Sequence, residues 1–118
     1  MITTIIFSKD RPLQLDLCLK SIKKNLAGSD GITITVIENY SEKYRSSLET
    51  LKSEHLDVGF IKQCDQNLFK CIWSLISTQP QDYPVAFFTD DGILFKEQDV
   101  KSIIRVMRNP NVVTYSMR

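Results

Sequence analysis

The feature that most restricts this chain is a repeated switch between two hydrophobic periods. Residues 2–7, 32–37, 58–61 and 85–88 are short runs of β-branched, aliphatic and aromatic side chains without a charge. Such runs fit strands buried on both faces. Between them the spacing becomes helical. Leu15, Cys18, Leu19, Ile22 and Leu26 fall on one helix face; so do Tyr44, Leu48 and Leu51; so do Phe69, Ile72, Trp73 and Ile76. A fourth helical face carries Val100, Ile103, Ile104 and Met107, after an extended piece at 93–95 and before a last strand at 112–116. Strands alternating with helices predict an α/β fold: three α/β/α layers around a mainly parallel, Rossmann-like sheet with right-handed crossovers. All the helix faces, Phe69 and Trp73 included, are expected to pack on that sheet.

Local punctuation agrees with this order. Pro12 suits a helix's first turn and Gly28 its stop. Ser41 is expected to cap the second helix, with Glu42 in its first turn. Pro80 closes the third, and Pro84 stands where a strand tolerates proline. Asn109-Pro110 ends the fourth.

The 118 residues fit one domain spanning 1–118. A formal net charge of +1 offers no excess to neutralise a phosphate backbone, so nucleic acid is excluded as a partner class. No apolar run approaches the roughly 18 residues of a membrane span. The first residues read as a strand, without the basic start of a signal peptide. Cys18, Cys64 and Cys71 form no CxxC pair, and their odd number argues for buried free thiols in a reducing, cytoplasmic setting. His55 has no Cys or His beside it and reads as a surface or helix-end residue, not as a metal ligand.

In open α/β sheets ligands bind beyond the carboxyl ends of the strands. Those ends carry Ser8-Lys9-Asp10-Arg11, Glu38-Asn39, Cys64-Asp65-Gln66-Asn67 and Thr89-Asp90-Asp91-Gly92. Adjacent carboxylates repel, and a divalent cation relieves the repulsion. Mg²⁺ or Mn²⁺, completed by phosphate oxygens and water, suits Asp90-Asp91; an Asp-Gly turn is the competing reading. Arg11 can clamp a diphosphate, beside a helix N-terminus that favours anions, or stand as a plain surface charge or an acid's partner. Glu38 can accept from a base N–H or a ribose hydroxyl, or fill a turn. No glycine-rich loop is present, which removes P-loop and dinucleotide fingerprints.

Ile5-Ile6-Phe7-Ser8-Lys9-Asp10-Arg11-Pro12 with Leu15 and Cys18-Leu19-Lys20-Ser21-Ile22 resembles the opening of GT-A-fold glycosyltransferases. Val36-Ile37-Glu38-Asn39 is similar to their second strand, and Phe87-Phe88-Thr89-Asp90-Asp91 to their DxD-type motif. The resemblance runs over nearly the whole chain. It implies a nucleotide-diphosphate-sugar donor held with Mn²⁺ or Mg²⁺. Phe7, Ser8 and Arg11 would line the nucleotide pocket, Glu38 would meet the base, and Asn67 and Lys70 would add contacts. Asp90 would touch ribose or sugar and share the metal with Asp91. Thr89 departs from the pattern, standing where many members have the motif's first acid. The family's acceptor half, with its catalytic base, has no counterpart here. The expectation is therefore a fragment or minimal version of a glycosyltransferase, acting on a glycan, lipid or protein acceptor, with no catalytic residue that can be named.

Two other readings compete. A receiver-like signalling domain would carry an acidic pair after its first strand and a phospho-accepting Asp after its third. Here only Asp10 follows the first strand, and Asp65 would imitate the acceptor. A nucleotide-binding module without catalysis is the other.

Overall fold

The structure is a computed structural model that describes residues 1–27, 31–63 and 67–117. Four strands, β1 (Ile2–Lys9), β3 (Ile32–Asn39), β4 (Gly59–Lys62) and β5 (Val85–Thr89), form one parallel sheet. Its order is β4-β3-β1-β5. A two-residue ladder joins β2 (Leu26–Ala27) to β6 (Gln98–Asp99). Among the described residues there are four α-helices, α1 (Pro12–Asn25), α2 (Arg45–Glu54), α3 (Leu68–Ile76) and α4 (Val100–Met107), and a 3₁₀ turn at Glu42–Tyr44. This is a parallel sheet with helices on both faces, as the alternating periods predict.

The strand order dictates the layers. The chain steps from β1 to β3 to β4 and then returns across the sheet to β5. Crossovers of one hand put the helices of the outward and return legs on opposite faces. Accordingly, Leu15, Cys18, Leu19 and Ile22 of α1 and Leu48 and Leu51 of α2 join Ile2, Ile6 and Val36 in one core. Cys71 of α3 joins Ile5 and Ile37 in the other. Successive strand residues point to opposite faces, so even-numbered residues of β1 and β3 face α1 and α2 and odd-numbered ones face α3.

Several expectations are corrected. Phe69 and Trp73 do not pack on the sheet: they are 68% and 61% exposed and stack on each other. α3 instead turns Cys71, Ile72, Leu75 and Ile76 inward. The helix is apolar nearly all round, so its periodicity allows two stripes. Residues 112–116 form no strand, and 93–95 joins no ladder. Handedness disfavours a parallel strand at 112–116. Val100 and Ile103 of α4 share one core with α1 and α2. A crossover through α4 to a parallel place on the free side of β5 would be of opposite hand to those through α1 and α2. Ser41 makes no side-chain cap; its backbone N–H and hydroxyl both donate to the Asp10 carboxylate. Leu26 follows α1 directly, and Gly28 lies outside the described residues.

Candidate functional site

The sheet order reverses between β1 and β5, the place where ligands bind in open α/β sheets. A cleft of about 390 Å³ opens there, at the carboxyl ends of β1, β3 and β5. Phe7, Ile37 and Leu68 are its apolar surfaces, and Ser8, Asn39 and Gln63 its neutral polar ones. Lys9, Arg11, Asp90 and Asp91 supply the charge.

The backbone fixes the two acids differently. The Asp90 N–H donates to the Phe7 carbonyl at 3.0 Å, extending the β1–β5 ladder by one residue. The Lys9 N–H in turn donates to Asp90 Oδ2 at 3.1 Å. Asp90 is thereby buried, with 8% of its side chain exposed, while Asp91 keeps 60%. The turn closes when Gly92 N–H donates to the Thr89 carbonyl at 2.9 Å. A Cβ on Gly92 would stand 3.1 Å from that oxygen, so the tight turn favours glycine. Thr89 donates its hydroxyl to Asp91 Oδ1 at 2.7 Å. That bond, then the residue's own N–H, hold the Asp91 carboxyl below its usual range against the opposing effect of burial, with a lesser contribution from the Arg11 charge.

Each carboxylate thus has one oxygen bonded within the protein and one facing Arg11. Arg11 Nη1 lies 3.8 Å from Asp90 Oδ1 and 3.6 Å from Asp91 Oδ2. These are ion pairs looser than hydrogen bonds. The two oxygens turned to a cation are hard donors of the kind Mg²⁺ and Mn²⁺ accept, with phosphate and water completing the shell.

Arg11 is positioned by its neighbour. Asp10 adopts φ 55°, a left-handed conformation that Asp tolerates better than most residues. Its N–H donates to the Asn39 carbonyl, and its carboxylate receives Ser41. The Ser41 N–H is the main reason the Asp10 carboxyl lies below its ordinary range. The loop after β1 is tied in this way to the loop after β3. Pro12 then opens α1, whose first amides have no side-chain cap.

Phe7, Ser8, Arg11, Asp90 and Asp91 therefore meet at one cleft. Three other candidates do not. Glu38 faces α2, where Lys52 Nζ donates to its Oε1; its Oε2 is buried without a partner. Asn67 uses its side chain to cap α3, accepting from the Lys70 N–H at 2.9 Å. Lys70 is exposed and does not line the cleft. Cys64, Asp65 and Gln66 lie outside the described residues. Asn39, given no role from sequence, and Gln63, not singled out there, also line the cleft. Their signal was being the last residue of one strand and the first after another.

Cys18 lies beneath the acidic turn, its Sγ donating to the Thr89 carbonyl at 3.6 Å. Burial pushes its thiol up to about 11, and the nearby Asp90 and Asp91 charges add to this. Cys18 and Cys71 are free and buried, as predicted.

A second polar cluster joins α1 to the end of α2. His55 stands at the end of α2, one of its two expected places, and is buried there. Its Nε2 lies 2.8 Å from Asp16 Oδ1 and its Nδ1 2.9 Å from Lys23 Nζ. Asp16, Glu54 and His55 have oxygen and nitrogen atoms within 4.8 Å of one another. A metal-bound His donates its second ring N–H to an acceptor. Here Nδ1 faces the Lys23 ammonium, a donor and not an acceptor, while Nε2 faces Asp16. The arrangement suits a helix-joining network.

Among the described residues no helix is long and apolar enough to cross a membrane. No protein-family model matches the chain, and no curated protein matches it.

Proposed function

We propose that this chain binds a nucleotide-diphosphate sugar at the β1–β5 cleft, as the donor-binding portion of a GT-A-like glycosyltransferase. The observation that carries the reading is the convergence of Arg11, Asp90 and Asp91 at the point where the sheet order reverses. A diphosphate needs a cationic clamp and a divalent ion. Asp90 and Asp91 would hold Mn²⁺ or Mg²⁺ through the oxygens that now face Arg11, and the ion would neutralise the diphosphate. Arg11 and the uncapped amides of α1 would receive phosphate oxygens. The base would lie against Phe7, Ile37 and Leu68, within reach of Asn39 and Gln63 in the place first given to Glu38.

The cleft's carboxylates are engaged by Lys9, Thr89 and Arg11, and among its described residues none is left to act as a base on an acceptor. The reading is therefore strongest for donor binding; transfer would need a group from the acceptor side.

A receiver-like domain fits less well. The flavodoxin-like order sets the second and third strands beside the first. Here the second and fourth of the main strands flank it.

Calorimetric titration of uridine and guanosine diphosphate, with and without Mn²⁺, tests the proposal. The expected result is metal-dependent binding that Asp91→Ala weakens by about tenfold or more. Failure of every nucleoside diphosphate to bind in the presence of Mn²⁺ overturns it. Binding without any sugar transfer would identify a non-catalytic module.

A further inference from the structure

The acidic turn offers one place for a cation, and Arg11 stands in it. A single atom, Arg11 Nη1, faces an oxygen of each carboxylate, 3.8 Å from Asp90 Oδ1 and 3.6 Å from Asp91 Oδ2. The opposite oxygens are engaged: Asp90 Oδ2 accepts from the Lys9 N–H and Asp91 Oδ1 from the Thr89 hydroxyl. The Asp90 side chain is also buried, with 8% exposed. Turning another oxygen toward a second cation would break one of these bonds. A divalent ion and the Arg11 guanidinium therefore compete for the same two oxygens.

The backbone at Arg11 is fixed while its side chain is free to swing. Asp10 is tied to Asn39 and Ser41, and Pro12 begins α1. The Arg11 side chain is 52% exposed and meets both acids at more than hydrogen-bond distance. Loose, exposed ion pairs of this kind contribute little, so a better partner can draw the guanidinium away. A phosphate is such a partner, because it accepts two parallel hydrogen bonds from the fork.

Charge decides which ligand makes the exchange. Arg11, Asp90 and Asp91 together carry one net negative charge. A divalent ion alone would leave one positive charge in excess, with two cations pressed on the same oxygens. A diphosphate arriving with the ion restores negative charge and gives Arg11 a new partner. We propose that Arg11 sets the selectivity of the cleft: it holds the metal's place, so that the turn takes a divalent ion well only together with a diphosphate. This selectivity presupposes the donor-binding reading. The ligand it names is the metal–diphosphate complex, neither part of which is held as well alone.

Mn²⁺ binding by the intact chain, followed through the paramagnetic resonance signal of the free ion, tests the proposal. Without nucleotide, Arg11→Gln should bind Mn²⁺ about threefold to tenfold more tightly than wild type. Toward Mn²⁺–uridine or Mn²⁺–guanosine diphosphate the sign should reverse, with Arg11→Gln about tenfold weaker by calorimetry. Lys24→Gln removes the same charge at the far end of α1 and should change Mn²⁺ affinity by less than about twofold. Adding Asp91→Ala to Arg11→Gln should abolish the gain. Arg11→Gln that binds Mn²⁺ no more tightly than wild type overturns the proposal, even where wild type binds the metal–nucleotide complex. So does a sign that fails to reverse, an equal gain in Lys24→Gln, or a gain that survives Asp91→Ala. Failure of wild type to bind either complex removes the donor-binding reading itself, and this selectivity with it.

Discussion

The two faces of the sheet are built to different standards. On one face α1, α2 and α4 cover β1 and β3 with side chains that are almost wholly inaccessible; Leu15, Leu19 and Ile22 are 0% exposed. On the other, α3 is the one helix over the sheet among the described residues, and Phe69, Trp73 and Phe87 are left largely in solvent. The first face is where burial stabilises the fold. The second is thin and opens at its carboxyl end into the cleft, which Leu68 of α3 borders. Rigidity under Arg11 and Asp90 comes from the densely packed side, since α1 both fills that core and begins at the cleft.

This contrast is easiest to break with Leu19→Ala. Removing a fully buried leucine leaves a cavity beneath β1 and should cost about 2–5 kcal/mol in chemical denaturation. A change under about 0.5 kcal/mol would show that the two faces do not differ in this way.

A smaller effect is expected at the seam between α1 and α2. Asp16→Asn weakens the bonds to His55 and Lys20 and should cost about 1 kcal/mol at neutral pH. Burial raises the Asp16 carboxyl's pKa, but its hydrogen bonds to His55 and Lys20 and the Lys20 charge outweigh burial and hold it below 3.8 in the fold. A carboxyl whose folded pKa is depressed stabilises the fold above its unfolded value and loses that contribution as pH falls through the folded one. The gap between wild type and Asp16→Asn should therefore close below about pH 4, as followed by urea midpoints across pH. A gap that widens on acidification would contradict this linkage.

The smallest effect belongs to the thin face. Trp73→Ala should change stability by no more than about 0.5 kcal/mol, because the ring is largely in water already. A loss comparable to that of Leu19→Ala would mean that α3 is more deeply packed than its exposure indicates.

The order of the main elements could be read along the chain because each depends on neighbours a few residues apart. The spacing of Leu15, Cys18, Leu19 and Ile22 states which face of α1 is buried, and all four are. Asp90-Asp91 follows an uncharged run, which marks it as a strand's end. At 112–116 the same local logic failed, since β-branched composition gives a preference for strand but not a partner. At α3 it placed Ile72 and Ile76 inward correctly but Phe69 and Trp73 wrongly, because a surface apolar nearly all round has no single period.

What tertiary structure decided was facing and meeting. Alternation along β3 puts Glu38 on the same side as Val36, but only the position of α2 shows that this side brings Lys52 and leads away from the cleft. His55 and Asp16 are 39 residues apart, and their contact exists only because α1 and α2 share a face. Arg11 meets Asp90 and Asp91 because β5 returns to lie beside β1. The sequence by itself determined which segments are strands and helices at most positions, and which residues stand at the strand ends. Strand order and crossover hand are long-range properties of the whole sheet, and they alone selected which of those ends came together.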